Sequence, residues 1–157
     1  VGRVSFTGEL GYELWVAPEY LRALYDLLHE AGKAHRLRNF GGRALNALRL
    51  EKSFGTWARE FRPIYGPFEA GLGRFVHLDK PDFVGKAAAA AEQAGGGVRK
   101  LITLVVDADD ADAMGDEPIW HDDKVVGWVT SGGYGHTVGK SLALGYVENA
   151  VAGEPAG

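Results

Sequence analysis

The chain has 157 residues, with 17 Lys and Arg against 21 Asp and Glu and a formal net charge of -4. That balance argues against nucleic acid as the main partner. At 46% hydrophobic and 24% charged residues the composition is that of a globular protein with a core, not of a disordered segment. There is no Cys, so disulfides, thiol nucleophiles and thiolate metal sites are excluded. A reducing compartment is expected, either the cytoplasm or, in a eukaryote, the mitochondrial matrix. No apolar run approaches the roughly 20 residues of a membrane helix, so no membrane partner is expected.

Val1 opens the chain almost directly in strand-like sequence, and Gly157 closes it soon after the apolar stretch Leu142 to Val147. The sequence therefore reads as a piece of a longer protein. Glu9 to Val16 alternates, with Leu10, Tyr12, Leu14 and Val16 on one side and Gly11, Glu13 and Trp15 on the other. This predicts a half-buried strand. Pro18 can open a helix in which Leu21, Leu24, Tyr25, Leu28 and Ala31 recur at helical spacing, with Gly32 as its stop. A second amphipathic helix is expected from about Arg43 to Lys52, with Ala44, Leu45, Leu48 and Ala47 turned inward. Phe54 to Gly73 mixes Pro and Gly with large aromatics, the mark of a structured loop. A short strand over Arg74 to Leu78 should follow. Asp82 is then placed to cap a helix through the Ala87–Ala91 block.

Gly95-Gly96-Gly97 is a break, and the pattern changes beyond it. Strands are expected near Arg99–Val106, Pro118–His121, Lys124–Thr130 and Ser141–Val147, with turns at Asp122-Asp123 and around Gly132–Gly139. The predicted fold class is α+β, an α/β part followed by an antiparallel β unit.

Two conspicuous stretches lose their first appeal on inspection. Gly133 to Ser141 looks like a phosphate loop, but five residues separate Gly133 from Gly139 where that motif has four. The sequence after it also reads as strand, so no helix N-terminus is available for a phosphate. The acidic run from Asp107 to Glu117 has Ala111 where a calcium loop needs its third ligand and Asp112 where it needs a turn glycine. Its simplest reading is a solvated loop. The five His show no metal-ligand spacing, and no metal is expected.

Glu13 is a better candidate. On a strand it would share its face with Gly11 and Trp15, and a carboxylate beside a flat ring can accept paired N–H bonds from a planar heterocycle. Spacing alone leaves a solvent-facing Glu as the simpler reading.

The wording of several segments carries a family resemblance. Ser5-Phe6-Thr7-Gly8-Glu9-Leu10-Gly11-Tyr12-Glu13-Leu14 resembles the Tyr-Thr-Gly-Glu-x-Gly-Tyr-Glu signature of the aminomethyltransferase (glycine cleavage T-protein) superfamily. Ala47 to Lys52, Pro67 to Leu72 and Asp82 to Lys86 resemble its next three signatures. Thr130 to Gly133, Val138 to Ala143 and Gly145 to Val147 resemble its C-terminal barrel. The segments occur in the family's order across nearly the whole chain. Glu51-Lys52-Ser53-Phe54, Trp57 to Glu60 and Thr130 to His136 look most like the folate-binding half of FAD-dependent dimethylglycine and sarcosine dehydrogenases.

The resemblance implies the C-terminal part of a folate-binding α/β lobe over residues 1–94 and a truncated antiparallel β-barrel domain over 98–157. It implies tetrahydrofolate as the cofactor, with Glu13 at the pterin-anchoring position and Phe6 where many members have a Tyr lining the folate site. FAD would belong to a missing N-terminal part, and the partners would be folate, a methylated-glycine-type substrate and an upstream domain of the same chain. No catalytic residue is expected in this stretch, because the family's assisting Asp lies upstream, so the piece alone should be inactive. The family's Arg before Leu-Arg-Leu-Glu is Leu45 here, and the Asp beside it is Asn46. These departures count against a stand-alone aminomethyltransferase, the first alternative. The absence of Cys counts against the second, a non-catalytic folate-binding regulatory relative.

Overall fold

The computed structural model describes residues 1–153. Helix α1 (Leu21–Gly32) follows a 3-10 turn, Pro18–Tyr20, whose first residue has the fixed φ that a helix start requires. The α-helix ends at Gly32, as expected. A second 3-10 turn, Lys33–His35, follows it and closes where Arg36 adopts the left-handed conformation at φ 57. Its apolar stripe exists as expected, but Leu21, Tyr25 and Leu28 remain exposed.

Helix α2 (Gly42–Glu51) lies where the second periodic segment predicted it. The face it buries is different. Arg49 and Leu50 are its buried residues, while Ala44 is exposed. The predicted strand over Glu9–Val16 is not formed. A single antiparallel bridge joins Gly2 and Glu13, whose backbones exchange two hydrogen bonds of 2.8 Å. Leu10 and Tyr12, expected inward, are 72% and 61% exposed. Alternation prepares an amphipathic face, but a strand also needs a partner along its length. Among the described residues only Gly2 supplies one.

Phe54 to Gly73 is the structured loop its aromatics and glycines predict, built from successive turns such as Glu60 N–H to Thr56 O at 3.0 Å. The expected strand over Arg74 to Leu78 is instead a 3-10 turn, Gly73–Phe75, leading into irregular chain. Helix α3 (Lys86–Gly95) is not capped by Asp82, which accepts a hydrogen bond from the next residue's N–H, Phe83, at 2.8 Å. The capping position is Gly85, in the left-handed conformation at φ 88. Glu92 of α3 accepts from the N–H groups of Phe68 and Glu69, both at 2.9 Å, which fixes the helix to the loop. Gly96 and Gly97, at φ 76 and 70, then turn the chain out of the helix, a conformation suited to residues without Cβ.

Four antiparallel strands complete the fold: β1 (Arg99–Val106), β2 (Pro118–His121), β3 (Lys124–Gly135) and β4 (Lys140–Glu148). Their order in the sheet is β1-β4-β3-β2. Asp122 and Asp123, at φ 46 and 60, form the tight β2–β3 turn with the paired left-handed residues that hairpins of this twist favour. β3 is longer than expected because the glycine-rich stretch through Gly135 continues the ladder to Ser141 and Lys140. β4 is central and buried from Ser141 to Val147. The core consists of Leu50, Val126, Val129, Leu142, Leu144 and Tyr146 with their neighbours, and Tyr65 of the loop stacks on Tyr146 at 3.6 Å. Among the described residues no helix is long and apolar enough to cross a membrane.

Candidate functional site

A cleft of about 510 Å³ opens where the end of α2, the Phe54–Gly73 loop and the first strand of the sheet meet. Its walls are aromatic and aliphatic: Phe6, Phe54 and Phe61 from the helical part, Leu101, Ile102 and Leu144 from the sheet. Lys52 and Arg74 supply the positive charge at the same cleft, and Ser53 and Thr103 its hydroxyls. Thr103 and Ser53 are joined by a 2.7 Å hydrogen bond that spans from strand to helix end. An apolar slot with a few convergent polar groups is the usual form of a small-molecule site, and this volume lies in the usual range.

Each lining group is held by local structure. Phe6 sits in the segment before Gly8, and Lys52 leans across that segment with its ammonium 3.6 Å from Glu9. Arg74 lies over the ring of Phe75 at 4.7 Å, and among the described residues it has no carboxylate partner. Its charge is therefore available to a ligand. Glu69 ties the loop to the sheet, its carboxylate accepting from the N–H groups of Val98 and Arg99 at 2.8 and 2.9 Å. Burial alone would raise the Glu69 pKa, but these bonds and the Arg99 charge hold it below the ordinary carboxylate value.

Of the two residues singled out by sequence, Phe6 lines this cleft and Glu13 does not. The slot imagined between Gly11 and Trp15 is differently filled. A Cβ on Gly11 would meet Val4 O at 2.9 Å, and Trp15 packs its ring over Gly2. Lys52, Phe54, Phe61 and Arg74 went unrecognised as lining residues. They converge from separate segments, and only the Glu51-Lys52-Ser53-Phe54 wording hinted at any of them.

Behind the cleft lies a buried polar cluster. Arg49 and Glu60 are 3% and 0% exposed, with Arg49 Nη1 3.7 Å from Glu60 Oε2. Burial would raise the Glu60 pKa, but hydrogen bonds from Ser131 and Thr56 and the Arg49 charge outweigh it and hold the carboxyl below its ordinary value. On the far side of α2 a further space of about 640 Å³ is bounded by Arg43, Asn46, Tyr134 and His136.

Residues 1–80 match the family model for the GCVT N-terminal domain, and residues 99–155 match that for the glycine cleavage T-protein C-terminal barrel domain. The chain belongs to the glycine cleavage T-protein family. Its helical part followed by an antiparallel sheet is the N-terminal-domain-then-barrel order of that family. Dimethylglycine dehydrogenase, mitochondrial, of Homo sapiens is 49% identical over 146 residues, covering 92% of this chain and 17% of that protein. Sarcosine dehydrogenase, mitochondrial, of Mus musculus is 38% identical over 152 residues, covering 96% of this chain and 16% of that protein. The crystal structure of the glycine cleavage system aminomethyltransferase T from Bartonella henselae superimposes with a TM-score of 0.84 at 28% identity, covering 94% of this chain and 41% of that one. The chain thus spans about a sixth of the length of the dehydrogenases it matches.

Proposed function

We propose that this T-protein-family chain forms part of a tetrahydrofolate-dependent one-carbon transfer module of an FAD-linked dimethylglycine or sarcosine dehydrogenase-type enzyme. The observation that carries the reading is the cleft itself, with Phe6, Phe54 and Phe61 as flat walls and Lys52 and Arg74 as cations. Reduced folate has a ring system that aromatic walls can hold and a glutamyl end whose carboxylates suit the two cations. The residues present therefore fit the cofactor.

In this reading Phe6 packs one face of the ligand, and Lys52 and Arg74 orient its anionic end. Glu13 lies outside the lining of the cleft, and its assignment to the amidine-like edge of the pterin rests on its family-motif position and on an exposed carboxylate with no ion pair among the described residues. Bound tetrahydrofolate supplies the nitrogen nucleophile that takes up a one-carbon unit. The protein's contribution is to fix that cofactor's position and keep bulk water from its walls, a task of proximity more than of covalent catalysis. Identity of 49% to a dimethylglycine dehydrogenase, against 34% and 37% to two aminomethyltransferases, supports the dehydrogenase-type reading over a stand-alone aminomethyltransferase. FAD, the methylated-glycine-type substrate and the acid–base group belong in this reading to an upstream domain of the same protein. The compartment is the cytoplasm or the mitochondrial matrix. The proposed join between a folate-binding part (1–94) and a barrel part (98–157) is Gly95–Gly97, supported by the two left-handed glycines there.

Calorimetry with tetrahydrofolate tests the assignment. Phe6→Ala and Glu13→Gln in the full-length protein should each weaken binding at least about tenfold, the scale of one lost aromatic contact or charge-assisted pair. Unchanged affinity in both would refute it.

A further inference from the structure

The folate reading uses the cleft walls but leaves the polar cluster behind them without a task. That cluster has a definite geometry. Arg49 of α2 donates from Nη1 to the carbonyl of Phe54 at 3.0 Å, and from Nε and Nη2 to Asn46 Oδ1 at 2.9 and 2.7 Å. Glu60 accepts at Oε2 from the Thr56 N–H and hydroxyl at 2.7 and 3.0 Å. Its other oxygen, Oε1, accepts from the Ser131 hydroxyl of β3 at 2.6 Å. The pair thus grips the chain next to both aromatic walls, at the carbonyl of Phe54 and at the residue preceding Phe61.

We propose that Arg49, Glu60 and Ser131 form a positioning device that clamps the Phe54–Phe61 arc to β3 and so sets the shape of the folate cleft. The proposal rests on the folate reading for the identity of the ligand, not for the clamp itself. Directionality is the reason for such a cluster. An apolar plug in the same space could hold the arc equally well in energy, since buried ion pairs are seldom more stabilising than well-packed hydrophobic groups. It could not specify orientation, because hydrophobic contact is non-directional. A carboxylate gripping donors from two segments admits a single placement of the arc. Close packing leaves it little slack: a Cβ on Gly55 would lie 2.7 Å from both the Glu60 Cβ and the Phe61 ring.

The test compares the full-length wild type with Glu60→Gln, Ser131→Ala and Val126→Ala, the last a truncation of a buried β3 residue that makes none of the clamp's hydrogen bonds. Two quantities are read: native-state hydrogen exchange of the Phe54 and Phe61 amides relative to barrel amides, and the tetrahydrofolate dissociation constant. Glu60→Gln should speed exchange in the arc at least tenfold over the barrel and raise the dissociation constant by a similar factor. Ser131→Ala should move both in the same direction by about threefold, the scale of one hydrogen bond. Val126→Ala should lower the melting temperature and leave both ratios alone. If Glu60→Gln only lowers melting, as Val126→Ala does, the clamp is refuted. If Glu60→Gln fails to fold, Ser131→Ala decides alone. A wild type that ignores tetrahydrofolate while Glu60→Gln still loosens the arc would remove the folate reading and support the clamp. A wild type that binds while both clamp variants bind equally well would do the reverse.

Discussion

The methylene stem of Lys52 occupies the space that a side chain on Gly8 would need: a Cβ there would lie 2.3 Å from Lys52 Cγ and 2.7 Å from its Cδ and Cε. Gly8 also sits at φ 77, where residues with a Cβ are strained. Gly8→Ala should therefore cost about 1–2 kcal/mol of stability. It should also push Lys52 off the segment that carries Phe6. Lys52→Met keeps the stem and removes the ammonium. Because the Lys52–Glu9 pair is exposed, that variant should change stability by no more than about 0.5 kcal/mol while weakening tetrahydrofolate binding. Thermal melting and calorimetry on the two variants separate the packing role of Lys52 from its charge.

The depressed pKa of Glu60 has a pH signature. A carboxyl whose folded pKa lies below its unfolded value of about 4.3 adds stability that is complete above the unfolded pKa and lost as pH falls through the folded one. The wild type should weaken steeply below about pH 4. Glu60→Gln should be less stable at neutral pH by about 3–5 kcal/mol, since it leaves Arg49 buried without its counter-charge. Its acid limb should be flatter. Urea melts between pH 3 and pH 7 measure this, and parallel acid limbs would mean another carboxylate governs the loss.

The Phe6 ring carries no hydroxyl into the cleft it lines. Phe6 is 37% exposed, so water can satisfy a hydroxyl added there and Phe6→Tyr should leave melting unchanged. If the hydroxyl meets a polar group of bound folate, affinity should rise about 3- to 10-fold, the value of one net hydrogen bond. Titration of tetrahydrofolate into Phe6→Tyr reads this directly.

Limited proteolysis should cut first within 107–112, which is exposed and without regular structure, and only later inside β3 or β4. Gly95–Gly97 should resist longer than three glycines in solution. Asn149 Nδ2 donates to Gly96 O at 2.7 Å, and Glu69 accepts from the neighbouring Val98 N–H. Early cleavage between Val125 and Thr130 would contradict the sheet as described.

The sequence disclosed what depends on near neighbours. The periodicities of α1 and α2, the four strands and the Asp122-Asp123 turn all rest on spacing or on residues next to each other. The strand over Glu9–Val16 did not form because pairing is a property of two segments, and a pattern in one cannot supply the other. Asp82 lost the cap of α3 to Gly85 because the left-handed turn, not the nearest carboxylate, sets where the helix starts. Phe6 was legible only through its family motif. Lys52 and Arg74 were not, since 21 positions of chain separate two side chains that share one cleft. Glu60 was visible as part of a family wording, but nothing in Trp57-Ala58-Arg59-Glu60 tells that this Glu is fully buried.

The register of β3 against β4 slips between Val129 and Ser131: Val129 faces Gly145, and Ser131 faces Leu144. Thr130 is therefore a supernumerary residue in the ladder, and its hydroxyl donates to Leu144 O at 3.0 Å. Such an insertion bends a strand and resets the parity of everything after it. In β3 it divides the strand into two phases. The first pairs with β2, and the second presents Ser131 to Glu60. Length variation is consequently unequal along the chain. A residue gained or lost in the exposed stretch near Asp109 leaves both phases intact. Drawing Thr130 into a regular ladder would instead put Val129 and Ser131 on one face, leaving either the core or Glu60 without its partner.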